Sequence, residues 1–377
     1  DFNELFTSPY DPPFMKILVY SDFKKISHSV KPESEIFIGL AKLGHELTVC
    51  SPEFGDEQYF HTAGIATIST GQRHKISISA INVLRKELRR GDYDIVYATN
   101  SQSIPTAAFA TIGYRAKLVA YRGTTRGLKR SDPTSYLTLL HPRLDAVICV
   151  SQAVQQAVIA KIWQRNCVLT TIFKGHDLAW SQQPPANLTD LNIPTDAFVA
   201  IAAARFRPTK GLSVLIEAAG LLADLPNFHL LVVGSGADQP PYVNAIANNP
   251  MRERIHLTGL RGDAPQLIAA SQVLVQASID GEGLPRSILE GLAYGVPAIS
   301  TTAGGAKEIL QEGQTGFVVP TQDPAAIAEK IRYLYNNPEQ LSEMSERCRD
   351  AISKQLSCAT TANAYAHFFE SLLTPQN

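Results

Sequence analysis

The sequence predicts an α/β protein made of two doubly wound parallel-sheet domains that face each other across a cleft. Short apolar runs rich in Val and Ile alternate with longer amphipathic stretches from end to end, which is the pattern of repeated βαβ units. At 377 residues the chain is longer than one hydrophobic core usually serves. The stretch from Trp180 to Asp196 holds three prolines, lacks apolar periodicity and interrupts the alternation near its middle.

In chain order, the expected strands of the first half are 16–21, 47–51, 65–69, 94–98, 117–121, 146–150 and 168–172. Those of the second half are 199–203, 229–233, 255–258, 273–276, 298–300 and 316–319. Residues 1–14, polar and with three prolines, read as a tag or extension ahead of the opening strand. The first domain is then 15–180, the linker 181–196 and the second domain 197–357. A final segment, 358–375, carries Ala362, Tyr365, Ala366, Phe369 and Leu372 at helical spacing and is expected to pack back on the first domain.

With 45% hydrophobic and 18% charged residues, disorder is not the expectation. Five scattered cysteines, none in a C-x-x-C pair, argue against a disulfide framework or a zinc site and fit a reducing cytoplasm. No apolar run is long enough to cross a membrane, and no signal pattern opens the chain. The net charge of −1 hides an asymmetry: residues 1–175 carry 21 Lys and Arg against 15 Asp and Glu, whereas 176–377 carry 13 against 20. The cations gather at Arg85, Lys86, Arg89 and Arg90, and again at Arg115, Lys117, Arg122, Arg126, Lys129 and Arg130. Such a half suits an anionic membrane, in peripheral contact at its inner face, or a phosphorylated acceptor; a solvated helix face is the alternative. Nothing points to nucleic acid.

Ligands of open α/β sheets bind outside the carboxyl ends of the strands, so chemistry is expected in the cleft. The most informative segment runs from Ser278 to Leu310. Glu282 sits in a Gly-rich loop just before an apolar helix, and Glu290 follows eight residues later, two turns inside that helix. A helix start offers unpaired amides and partial positive charge to a diphosphate. Glu290 can accept two hydrogen bonds from a ribose diol, and Glu282 can reach sugar hydroxyls. The Gly304-Gly305 turn would let backbone approach another part of the ligand.

With Glu282, Glu290, Gly295-Val296-Pro297 and Gly304-Gly305 in this order, the sequence resembles the family-4 retaining glycosyltransferases. These have the GT-B fold, two Rossmann-like domains facing across a cleft. The resemblance spans about residues 15–375, with its specificity in 199–310. It implies transfer of a hexose-type sugar from a UDP or GDP sugar to a glycan or lipid-linked acceptor, in surface polysaccharide, lipopolysaccharide or glycolipid synthesis. The segment Ala204-Arg205-Phe206-Arg207-Pro208-Thr209-Lys210-Gly211 matches the family's arginine and lysine at Arg205 and Lys210, with Arg207 as the alternate arginine. These cations would stabilise the leaving diphosphate. The resemblance adds Gly234, Gly236, Leu260, Gly283, Leu284 and Pro285 to the nucleotide-sugar contacts, although Pro285 has no amide to donate.

Two departures concern the acceptor side. The loop after the first strand, which holds His28, lacks the family's Gly-Gly pair, and Arg122 stands near where many members have a histidine beside the sugar. His28, Arg122 and Arg126 are the acceptor-side candidates. Asp92-Tyr93-Asp94 looks like a metal-holding Asp-x-Asp but reads better as a helix-to-strand turn, so neither metal nor cofactor is expected. Alternatives are a nucleotide-sugar epimerase of the same fold and a non-catalytic nucleotide-sugar-binding protein. A dehydrogenase is weakly signalled, because Gly234-x-Gly236 lacks a third glycine.

Overall fold

A computed structural model describes residues 14–24, 30–71, 76–164 and 166–374. Each of the thirteen expected strands is present, with bounds within one residue of the expectation. In the first lobe β1 (Lys16–Tyr20), β2 (Glu46–Ser51), β3 (Ala66–Ser69), β4 (Ile95–Ala98), β5 (Lys117–Arg122), β6 (Ala146–Cys149) and β7 (Val168–Thr171) form one parallel sheet, ordered β3-β2-β1-β4-β5-β6-β7. In the second, β8 (Phe198–Ala203), β9 (Phe228–Val233), β10 (Ile255–Gly259), β11 (Val273–Gln276), β12 (Ala298–Thr301) and β13 (Gly316–Val319) are ordered β10-β9-β8-β11-β12-β13, again all parallel. Strands β4, β6 and β9 are buried along their whole length because helices cover both faces of a parallel sheet.

The first lobe holds helices α1 (Lys31–Lys42), α2 (Gln58–His61), α3 (Ile78–Arg90), α4 (Ser103–Ala110) and α5 (Gln152–Ile159). The second holds α6 (Leu212–Gly220), α7 (Pro240–Ala247), α8 (Ala264–Ala269), α9 (Arg286–Tyr294), α10 (Pro324–Asn336) and α11 (Pro338–Lys354). Side-chain oxygens cap several of them, for example Ser151 on the amide of Val154 at the start of α5.

The last helix, α12 (Cys358–Leu373), buries Tyr365 and Phe369 in the first lobe's core beside Phe37 and Tyr97, and the Tyr365 and Tyr97 hydroxyls lie 3.0 Å apart. The chain thus passes between lobes twice, and the two passages touch: His176 N donates to the Leu356 carbonyl at 2.8 Å, and Thr361 Oγ1 to the Phe173 carbonyl at 2.9 Å. The Pro-rich stretch after the first passage lies against the second lobe, with Ile193 in its core and Ala186 N bonded to the Gln266 carbonyl. Among the described residues no helix is long and apolar enough to cross a membrane.

Candidate active site

In the second sheet β8 and β11 are neighbours in space but far apart in sequence, so the connections leave them in opposite directions and open a crevice beyond their carboxyl ends. A cavity of about 350 Å³ occupies it. Of the residues singled out in the sequence, Arg205, Lys210, Gly234, Leu260, Glu282, Leu284, Pro285 and Glu290 line this one cavity. Arg205 follows β8, the Glu282 loop follows β11, and α9 begins at the cavity wall without a side-chain cap on its amides.

Glu282 is only 7% exposed, and one of its carboxylate oxygens gathers three donors. Oε1 accepts from Ser278 Oγ at 2.8 Å, from Gln276 Nε2 at 3.3 Å and from the ammonium of Lys210. A buried carboxylate without such donors would be costly. Lys210 therefore grips Glu282 itself, where the sequence placed it only opposite the helix start. Gln276 also accepts from Ser287 Oγ at 3.3 Å, which ties Glu282 to the first turn of α9. Gln276 and Ser278 escaped the sequence reading, yet a glutamine closing an otherwise apolar buried strand, Val273-Leu274-Val275-Gln276, was a usable signal.

Glu290 accepts from Arg286 at 3.3 Å, one turn along the same helix. The helix starts at Arg286, so Glu290 stands just over one turn inside it, not two. That difference keeps its carboxylate on the cavity wall. Arg286 and Arg261 join the lining, and Asp263 holds Arg261 through two oxygens at 2.7 and 2.6 Å.

The glycines divide between the cavity wall and the packing behind it. Gly234 lines the cavity, but its positive φ of 133° serves close packing: a Cβ there would lie 1.8 Å from the Ala204 carbonyl oxygen. Gly236 sits behind the lining, against Phe206. Gly283 lies against the first lobe, where a Cβ would come within 2.1 Å of the Gly123 carbonyl oxygen. Gly304 and Gly305, expected to admit ligand, fit instead against the backbone of Glu282 and Gly283.

Two family models divide the chain between them. Glycosyltransferase Family 4 matches residues 35–180, and Glycosyl transferases group 1 matches residues 185–352. The chain belongs to the family 4 glycosyltransferases. Among the relatives of this glycosyltransferase is EpsD of Bacillus subtilis (strain 168), 34% identical over 155 residues, which span 41% of this chain and 40% of that protein. The lipopolysaccharide core biosynthesis glycosyltransferase LpsE of Rhizobium meliloti is 25% identical over 251 residues, 67% of this chain and 71% of LpsE. The GT-B fold is shared with Anabaena Alr3699/HepE, whose structure in complex with UDP superposes with a TM-score of 0.76 at 21% identity, covering 95% of this chain and 100% of that one.

On the first lobe of the glycosyltransferase the two described candidates, Arg122 and Arg126, are engaged by the protein itself. Arg122 Nε donates to the Thr124 carbonyl at 2.8 Å and Nη2 to the Arg126 carbonyl, so its guanidinium braces its own loop. Burial pulls its pKa below the usual arginine value. Arg126 reaches across to Asp280 at 3.5 Å. His28 lies outside the described residues. Unforeseen in the sequence is a buried polar chain at the carboxyl edge of this sheet. Lys174 Nζ binds Glu33 at 3.0 Å and lies 4.2 Å from the centre of the Tyr121 ring; Glu33 in turn accepts from Ser21 at 2.9 Å. Burial lowers the Lys174 pKa, but Tyr121 and Glu33 outweigh it and hold the ammonium above its ordinary value.

Asp94 of the Asp-x-Asp segment accepts from Lys16 N at 2.8 Å, at the turn between α3 and β4. The five cysteines are free thiols, and burial pushes Cys149, Cys167, Cys348 and Cys358 up to about 12. In the basic clusters, Arg85 donates to the carbonyls of Phe109, Ala110 and Ile112 at the end of α4, and Arg130 to those of Lys161 and Ile162 just after α5. These two cations neutralise helix ends. Lys86, Arg89, Arg90 and Arg115 remain on the surface.

Proposed function

We propose that this glycosyltransferase is a retaining enzyme that takes a hexose-type sugar from a nucleotide diphosphate sugar, with UDP or GDP as carrier, and passes it to a glycan or lipid-linked acceptor. The observation that carries the reading is the meeting of Arg205, Lys210, Glu282 and Glu290 around one cavity at the uncapped start of α9. The diphosphate sits against those amides and between the two cations, and the ribose diol on Glu290. As the bond from the sugar C1 to the phosphate oxygen breaks, Arg205 and Lys210 stabilise the charge that develops on the leaving group. The acceptor hydroxyl attacks from the same face and gives its proton to the departing phosphate oxygen, while Glu282 orients the sugar. In this reading the cations and helix amides take the place of a divalent ion at the diphosphate, and turnover is expected to survive a chelator. The UDP in the HepE complex favours uridine as the base.

Melting curves with UDP, GDP, ADP and their sugars identify the carrier, since a ligand that binds only the folded protein raises Tm by mass action. Glu282→Gln is expected to lower turnover by about a hundredfold or more while leaving nucleotide affinity within about twofold. Unchanged turnover would remove Glu282 from the reaction. Conversion of the donor without acceptor would turn the reading to an epimerase.

Surface polysaccharide, lipopolysaccharide or glycolipid assembly is the setting this implies, and LpsE acts in one such pathway by its name. Exposed Lys86, Arg89, Arg90 and Arg115, beside half-exposed Ile112, face an anionic membrane in this reading. Binding to vesicles of acidic phospholipid, lost at high salt, is the expected result; equal binding to neutral vesicles argues against it.

A further inference from the structure

We propose that Glu308 is a positioning residue that latches the two lobes together and thereby seats Glu282; its role in turnover rests on the transfer reading above. After β12 the chain passes through Gly304 into a short 3-10 turn, Gly305–Glu308. This turn touches both sides of the cleft. On its own lobe, Gly305 N donates to the Gly283 carbonyl at 2.8 Å, and a Cβ on Gly304 would stand 2.4 Å from the Glu282 carbonyl oxygen. Across the cleft both oxygens of Glu308 are occupied by the first lobe. Oε2 accepts from Gln152 N at 2.6 Å and Oε1 from Ala153 N at 2.9 Å.

Those two amides open α5, where no preceding carbonyl can reach them and the helix presents its positive end. A carboxylate from the other lobe fills that need, and charge-assisted bonds of this length are the strong kind. The surrounding contacts give the latch its leverage. Gly283 rests against Gly123 and Val150, Leu284 packs with the apolar cores of both lobes, and Thr124 Oγ1 donates to the Gly281 carbonyl at 3.2 Å. The loop carrying Glu282 is therefore wedged between the first lobe and the Glu308 turn, and releasing the turn loosens the loop. Every residue lining the donor cavity belongs to the second lobe, so closure and nucleotide binding are separable.

The test compares Glu308→Ala and Glu308→Gln in the full chain by small-angle scattering, UDP titration and steady-state turnover. Glu308→Ala is expected to enlarge the radius of gyration and to lower kcat about ten- to a hundredfold, with UDP affinity within about twofold. Glu308→Gln keeps one accepting oxygen and recovers part of both losses. Gly283→Ala, which forces a methyl group between the lobes, should reproduce the open form with Glu308 intact. Wild-type scattering and kcat in Glu308→Ala would overturn the latch, as would a fall in UDP affinity that matches the fall in kcat. A wild-type chain that binds no nucleotide diphosphate would count against the transfer reading, while the scattering comparison would still decide the latch.

Discussion

The two lobes have the same strand order about their first strand, yet they use the carboxyl edge of the sheet in opposite ways. In the second lobe the edge opens into a cavity, and Arg205, Lys210, Glu282 and Glu290 all stand on its wall. At the equivalent edge of the first lobe the described polar side chains pair among themselves: Lys174 with Glu33 and the Tyr121 ring, Glu33 with Ser21, and Arg122 with its own loop. One topology thus carries an open cavity in one copy and a chain of paired polar side chains in the other. Function resides in the residues placed at the edge, not in the sheet that holds them.

Removing one partner from the first lobe's ion pair is the sharpest test of that contrast. Lys174→Met leaves Glu33 without its cation in a mostly buried position and is expected to cost about 3 kcal/mol of stability, read from urea unfolding. Nucleotide affinity should stay within about twofold. If stability held and the acceptor KM rose instead, the network would be a binding site and the contrast between the lobes would fail. A smaller effect is expected in the second lobe, where Glu290→Ala removes the carboxylate that the proposed reaction assigns to the ribose diol. The donor KM should rise about tenfold, with kcat little changed and stability within about 1 kcal/mol. A donor KM equal to that of wild type would move the ribose elsewhere in the cavity.

The fold was legible almost completely, because strands buried on both faces leave continuous Val- and Ile-rich runs that nothing else in the chain imitates. In the second lobe the residues that meet at the cavity were legible too, the two glutamates from their place around a helix start and Arg205 and Lys210 from the family resemblance. What escaped were pairings between distant segments. No local pattern says that Lys174 meets Glu33, 141 residues away, or that Glu308 reaches Gln152, 156 residues away. Gly304 and Gly305 were hard to place for a related reason: a need for small size is visible in sequence, but that the chain's own backbone takes up the space is not. Pairing also explains the basic clusters, where Arg85 and Arg130 turned out to close helix ends.

The double passage between lobes has a mechanical consequence. A single tether allows two bodies to swivel about any direction, whereas two strands of chain held side by side, as at His176 and Leu356, leave one easy axis of bending and oppose torsion. Opening the cleft should therefore resemble a door on a paired pin, and each swing brings the Glu282 loop back to the same spot on the opposing lobe.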